Sequence, residues 1–267
     1  MKKNVLIFAA AAMLLSSCIV KFNNKIGGIP PAASADAAIK AANEAASKGF
    51  NGIEAHGSFD VYYTQDSTST VRIVGDTASI KHTIVKSDGS TLTIAEADGK
   101  GLFKSKSYNV DVYITSPELA KVGMYGSGDF KTKGGVSSDR LDMEVAGSGS
   151  LVLDGVKANH LSINIAGSGN ATTGHTATKT TDVSIAGSGN VGINGIKTDG
   201  LNTSIAGSGD IKITGADINR AKCAIAGSGD IDIKGNVRQC DRSIAGSGSV
   251  SIKNCLLYTS PSPRDTR

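Results

Sequence analysis

The sequence predicts an all-β fold, a parallel β-solenoid with rungs of about 20 residues, and three observations carry that prediction. The tripeptide Gly-Ser-Gly begins at Gly126, Gly147, Gly167, Gly187, Gly207, Gly227 and Gly246, at intervals of 21, 20, 20, 20, 20 and 19 residues. Between these corners apolar residues fall at every second position, as in Leu161, Ile163 and Ile165 before one corner and Val191 and Ile193 after the next. A period of two puts one face of a strand inside. No apolar stripe of helical period crosses the repeats. A unit this short cannot bury its own apolar face, so it must stack on the next. At a strand spacing of about 4.8 Å, seven rungs make a column about 34 Å long.

The elements follow in chain order. Met1-Lys2-Lys3 and the apolar run Val5–Leu15 read as a secretory signal over residues 1–17, since the run is too short to span about 30 Å of hydrocarbon as a helix. The run ends in Leu15-Ser16-Ser17-Cys18, which resembles the lipobox of bacterial lipoproteins. That resemblance implies cleavage before Cys18, a diacylglycerol on its thiol and an acyl chain on its amine. Two or three chains hold a protein on a bilayer where one does not. The expected location is therefore the bacterial cell envelope, lipid-anchored at the outer membrane. Ile19-Val20 do not begin an acidic run, so leaflet and face stay open. Residues 18–49 read as a flexible Ala/Pro-rich tether with room for one weak helix after Pro30-Pro31.

Residues 50–122 alternate without repeating. Phe59-Asp60-Val61-Tyr62, Val71-Arg72-Ile73-Val74, Thr91-Leu92-Thr93-Ile94 and Val110–Ile114 are strand-like, and Asp88-Gly89 signals a hairpin. A solenoid's first rung exposes unpaired edges, so this segment is expected to cap it. Residues 123–254 are the repeats. Ladders of Ile and Val are expected inside, alanines Ala146 to Ala245 beside the corner, and serines Ser127 to Ser247 along it. The rung carrying Ala171, Thr173 and Thr181 should be the softest. Residues 255–267, beginning Cys-Leu-Leu-Tyr-Thr-Ser, resemble the translation of a sequencing-library adapter. On that reading they, with Cys255 and Tyr258, stand outside the fold, and the native C-terminus lies beyond residue 254.

Charge excludes a broad class of partners. The chain holds 28 Lys+Arg and 24 Asp+Glu. Setting aside Lys2, Lys3, Arg264, Arg267 and Asp265 at the two ends leaves 24 and 23, a net charge of +1. That is no basic face for nucleic acid. With 33 glycines, no tryptophan and 12 aromatics (Tyr 6, Phe 6), the composition is also unlike that of a large-core enzyme.

Candidate chemistry is thin. The column after each corner, Asp129, Ser150, Asn170, Asn190, Asp210, Asp230 and Ser249, could be a calcium ladder, but four of its seven members are uncharged and hard cations want several charged oxygens. Turn capping is the expectation, and no metal or cofactor is assigned. The corner serines lack a base, because His56, His82, His160 and His175 share no repeat offset. The motifs G-x-S-x-G, G-K-[ST] and H-E-x-x-H are missing, so no catalytic residue is assigned. A β-helix enzyme acting on polysaccharide is the alternative, with Asp230 and Asp232 as its best carboxylate pair. Against it, no Phe, Tyr or Trp lies between Phe130 and residue 254 to stack on a sugar. Cys223 and Cys240 form a candidate disulfide pair in an oxidising compartment, although a one-rung, two-residue diagonal separates their Cα atoms by about 8 Å, beyond the usual limit. Two buried free thiols are the alternative. The segment Gly99–Ser107, with Lys100, Lys104 and Lys106 beside Phe103, reads as a solvated loop or a contact for anionic lipid or glycan.

Several motifs together carry a family resemblance. Phe50-Asn51-Gly52-Ile53-Glu54, Gly57-Ser58-Phe59-Asp60-Val61, Gln65, Ser116-Pro117-Glu118-Leu119 and the GSG-[DN]-[IV] repeats are similar to the "putative auto-transporter adhesin, head GIN domain" family. The resemblance spans about residues 50–254. It implies a right-handed, three-sided parallel β-helix and an envelope location, and it brings no catalytic residues. The expected function is a non-enzymatic, lipid-anchored binding or structural module. Its expected partners are the membrane, through the N-terminal lipid, and a surface polymer or protein.

Overall fold

The computed structural model describes residues 32–97 and 110–258. The capping segment contains α1 (Ala35–Ser47), β1 (Gly52–Gly57), β2 (Asp60–Gln65), β3 (Thr70–Gly75), α2 (Thr77–Lys81), β4 (Thr83–Ser87), β5 (Thr91–Glu96) and β6 (Val110–Ser116). The first repeats give β7 (Lys121–Gly126), β8 (Asp129–Thr132) and β9 (Val136–Gly147). The long strands are β10 (Ser150–Gly167), β11 (Asn170–Gly187), β12 (Asn190–Gly207), β13 (Asp210–Gly227) and β14 (Asp230–Gly246). Two short strands close the chain, β15 (Ser249–Ile252) and β16 (Cys255–Tyr258).

The column is a parallel β-solenoid, as the repeat requires. From β9 to β14 each strand pairs in parallel with the next, one repeat on, so that Gly167 lies over Gly147 and Gly187 over Gly167. Pairing of β10 with β11 pauses at Asp154 and Asn159. Each long run therefore bends through three flat segments before its glycine corner. Ladders fill the interior: Val145, Ile165, Ile185, Ile205 and Ile225 on one side, Leu151, Ala171, Val191, Ile211 and Ile231 on another, all buried. In the threonine-rich rung the buried hydroxyls satisfy one another. Thr173 Oγ1 lies 3.1 Å from Thr176 Oγ1, and Thr178 Oγ1 lies 2.7 Å from Thr181 Oγ1.

The corner demands glycine for a reason visible in the coordinates. Gly187 has φ +131, and a Cβ there would sit 2.3 Å from the Gly167 carbonyl oxygen. That oxygen accepts hydrogen bonds from the Ser188 and Gly189 N–H groups at 2.9 and 3.1 Å. Rung spacing and corner hydrogen bonding leave no room for a side chain.

The capping segment holds rungs that its sequence conceals. β1 runs parallel to β7 with Gly57 over Gly126, and β2 runs parallel to β8 with Val61 beside Phe130. Residues 52–65 are thus a further rung, with Phe59 where the repeats have their second corner glycine. β5 and β6 form another on its far side, parallel to β1 and β2. The chain visits these rungs out of spatial order. It lays down β1–β2, turns outward through β3, α2 and β4, returns along β5–β6, then crosses back to β7.

The cap closes with antiparallel pairs, β3 on β6 and β4 on β5. The Asp88-Gly89 hairpin forms as expected, with Asp88 Oδ1 accepting from the Ser90 and Thr91 N–H groups. The helix allowed for after Pro30-Pro31, in the tether expected over 18–49, is present as α1, but it is docked and not part of a free tether; residues 18–31 lie outside the described residues. α1 is N-capped by Ser34, with Ala38, Ala42, Ala45 and Ala46 buried. An apolar helix face laid beside the end strands removes that end of the core from water.

The other end carries a second correction. Strand β16, placed beside β14, runs four residues past the boundary expected at 254. Cys255 is disulfide-bonded to Cys240, with Cα atoms 6.4 Å apart, and Cys223 is a buried free thiol. The candidate pair Cys223–Cys240 does not form, because Cys223 lies over Thr203 and under Arg242 while Cys240 lies beyond Ala221. The diagonal separation anticipated from the register keeps the two apart.

Candidate functional site

Most of the polar side chains singled out in the repeats are spent on the column itself. The Asp210 N–H donates to Asn190 Oδ1 at 3.3 Å, the Asp230 N–H to Asp210 Oδ1 at 2.9 Å, and the Ser249 N–H to Asp230 Oδ1 at 2.9 Å. Ser249 Oγ adds a bond to the same Asp230 oxygen at 2.7 Å, and Asn190 Nδ2 donates to Asn170 Oδ1 at 3.0 Å. The column extends backward as well, with the Asp129 N–H donating to Asp60 Oδ1 at 3.2 Å. Each of these side chains caps a backbone group or stacks on its ladder neighbour, the turn-capping role expected of Asx residues. Asp232, the other half of the candidate carboxylate pair, lies 3.4 Å from Lys234 Nζ. The corner serines point to solvent while their N–H groups bond to the preceding rung.

The histidines disperse. His160 Nδ1 is 2.8 Å from Thr180 Oγ1, with Nε2 3.5 Å from Asp182. His175 sits at another bend, beside Gly195. Cys223 is buried in the core, and desolvation pushes its thiol up to about 11. Cys18, the apolar run Val5–Leu15 and the loop Gly99–Ser107 lie outside the described residues. Among the described residues no helix is long and apolar enough to cross a membrane. An open groove between α1 and β4 is walled by Ala37, Ala41, Ile84 and Lys86, with Glu44 and Lys48 at its rim.

Two side-chain clusters that the sequence reading did not single out lie on the capping rungs. On one face Glu54 bonds Lys121 Nζ at 2.7 Å and faces His56 Nε2 at 3.6 Å. His56 and Lys121 together hold the Glu54 carboxyl at about 2, against the upward push of burial. The His56 ring stacks on Tyr125 at 4.8 Å, and Tyr125 donates to Glu144 Oε2 at 2.8 Å. Gly123 permits this, since a Cβ there would meet the Tyr125 ring at 2.7 Å.

On another face outward residues of three adjacent strands form a stack. The Arg72 guanidinium lies 4.3 Å above the Tyr113 ring, and Tyr113 stacks on Tyr62 at 5.0 Å. Lys131 follows Tyr62 in register and is held by Asp129 at 3.1 Å. The alternation Asp60-Val61-Tyr62-Tyr63 already places Tyr62 outward and Tyr63 inward. What it cannot supply is the pairing of β6 with both β2 and β3, which brings Arg72, Tyr113 and Tyr62 together from across about fifty residues.

Comparisons with known proteins agree with this architecture. The family model "Putative auto-transporter adhesin, head GIN domain" matches residues 49–236 and 176–260. A crystal structure of a putative adhesin from Bacteroides fragilis superposes with a TM-score of 0.66 at 24% identity, covering 77% of this chain and 93% of that one. A "putative lipid binding protein" from Parabacteroides distasonis gives 0.62 at 25% identity, covering 79% and 93%. A putative adhesin from the same organism gives 0.60 at 25%, covering 77% and 93%. No curated protein matches the chain.

Proposed function

Because the chain belongs to the "putative auto-transporter adhesin, head GIN domain" family, we propose that it is a non-enzymatic binding module of the cell envelope. In this reading acyl chains on Cys18 hold it to the outer membrane, and the β-helix presents a rigid surface to a polymer or protein. The observation that carries the reading is how the polar ladder is used. Of the candidate carboxylate pair, Asp230 caps the next rung at Ser249, as Asp210 caps Asp230, and Asp232 lies 3.4 Å from Lys234 Nζ. The capping bonds serve the fold, because each satisfies a polar group of the rung above. The adhesin descriptions of structural neighbours support a binding role, and the neighbour described as lipid binding makes vesicles a necessary arm of any test.

The full chain, immobilised, should be retained by whole cells, mucin or an extracellular-matrix protein, with vesicles run in parallel. Cys18→Ser should shift the expressed protein from the membrane to the soluble fraction. Release of oligosaccharide from a glycan panel, abolished by Asp230→Asn, would favour the polysaccharide-acting enzyme instead.

A further inference from the structure

The repeat faces are translationally degenerate. A ligand seated on one rung finds much the same ladder one step of about 4.8 Å away, so the column alone gives no fixed register. Specific recognition needs a place where the repetition breaks and where rigid, amphipathic side chains reach solvent. Among the described residues with described side chains, the partly exposed tyrosines are Tyr62 and Tyr113 on the capping rungs and Tyr125 on the first repeat rung. Tyr125 donates to Glu144 and stacks on His56. Tyr62 and Tyr113 share a face with an exposed Arg72.

We infer that the Arg72–Tyr113–Tyr62 stack is a recognition surface for a glycan carrying an isolated carboxylate, of the uronate or sialate type. The inference rests on the binding-module reading above and names its ligand class. Arg72 supplies the charge. Its guanidinium is oriented by the Tyr113 ring, and among the described residues no carboxylate lies within ion-pair distance of it. A planar fork of N–H donors held in place and not engaged by a carboxylate is a receptor for one.

The surroundings select among carboxylate-bearing ligands. Asp60 and Asp111 lie in register on adjacent strands next to the tyrosines, with Asp129 one strand further. This acidic column opposes a polyanion such as an acidic peptide, a nucleic acid or a phosphate-rich surface. The same carboxylates accept hydrogen bonds from neutral hydroxyls. On the other flank Thr70 and Thr115, joined at 2.8 Å, offer hydroxyls, and the phenols of Tyr62 and Tyr113 project between the two flanks. Val74, 40% exposed and paired with Asp111, provides an apolar patch for ring C–H groups. Lys131, next in the row, is already paired with Asp129. Arg72 is thus left as one cation amid hydroxyls and hydrogen-bond acceptors, which matches a sugar ring with a single acid group.

The test titrates the full chain with 3′-sialyllactose and trigalacturonate, against lactose and galactotriose as neutral counterparts, with polyglutamate as the acidic-peptide arm. The acidic sugars should bind, more weakly as salt rises, and the neutral ones should bind at least about tenfold more weakly, the scale of one lost charge-assisted pair. R72Q should cost a similar factor. Y113F keeps the ring under the guanidinium and removes only the hydroxyl, so it should cost less, and K197Q on another face should cost nothing. If the chain is retained by cells or mucin yet neither acidic sugar binds, or R72Q leaves their binding unchanged, this surface is wrong and the binding-module reading survives. Preference for polyglutamate overturns the glycan assignment. Absence of both retention and sugar binding overturns both.

Discussion

The tightest consequence of the rung geometry concerns a single methyl group. Gly187→Ala would put a Cβ 2.3 Å from the Gly167 carbonyl oxygen, at a residue whose φ is +131. Neither strain relaxes cheaply, because the atom struck is backbone and that oxygen accepts the Ser188 and Gly189 N–H groups. Holding a non-glycine residue at such a φ costs about 1–3 kcal/mol. Distorting two hydrogen bonds adds about 0.5–1.5 kcal/mol each. Together these sum to roughly 2–6 kcal/mol, which at about 2–4 °C per kcal/mol for a domain of this size lowers Tm by about 4–24 °C. Gly192→Ala is the internal control. Gly192 has no positive φ, and its nearest neighbour to an added Cβ is Thr172 Oγ1 at 3.6 Å. That substitution should be neutral or stabilise by up to about 1 kcal/mol through the unfolded chain. Thermal melts followed by far-ultraviolet circular dichroism compare the two. If Gly187→Ala melts together with Gly192→Ala, the corner is not set by backbone crowding and the rung argument fails.

Four further outcomes are expected. Glu54, held at about 2 by His56 and Lys121, has a depressed folded pKa, so its contribution is complete above the ordinary carboxylate value near 4.5 and is lost as pH falls toward 2. The shift corresponds to about 3 kcal/mol before any discount for its partial exposure, and acid unfolding of Glu54→Gln should lack that dependence. Arg242 occupies the inward ladder position of Met143, Ile163, Val183, Thr203 and Cys223 in the last long strand, where an inward charge guards a sheet edge. With Ile244 already 42% exposed beside it, Arg242→Ile should produce concentration-dependent association in sedimentation experiments. Asp230→Ala should cost about 1 kcal/mol by removing the cap on Ser249, whereas a chelator should leave Tm unchanged. Non-reducing peptide mapping should link Cys240 to Cys255 and find Cys223 alkylated only in denaturant.

The repeats were legible from the sequence because their structure is local and periodic. Spacing of the Gly-Ser-Gly corners determines the rung length, alternation determines which of Leu161, Ser162, Ile163 and Asn164 faces inward, and stacking equivalent positions determines every ladder from Ala146 to Ala245. The absence of helical periodicity settled the class, while the register argued against the Cys223–Cys240 pair without removing it as a candidate. Tertiary structure decided what is not periodic. That Gly57 marks the corner of a rung was hidden because Phe59 replaces a corner glycine. That β5–β6 lies on the far side of β1–β2 was hidden because the chain places those rungs out of spatial order. α1 docks through four alanines, too weakly apolar to announce a buried helix face. Cys240 meets Cys255 only after the last turn brings β16 against β14. The Arg72, Tyr113 and Tyr62 stack has the same origin: a repeat propagates information by translation along the chain, whereas a cap is made by long-range pairing that no window of residues contains.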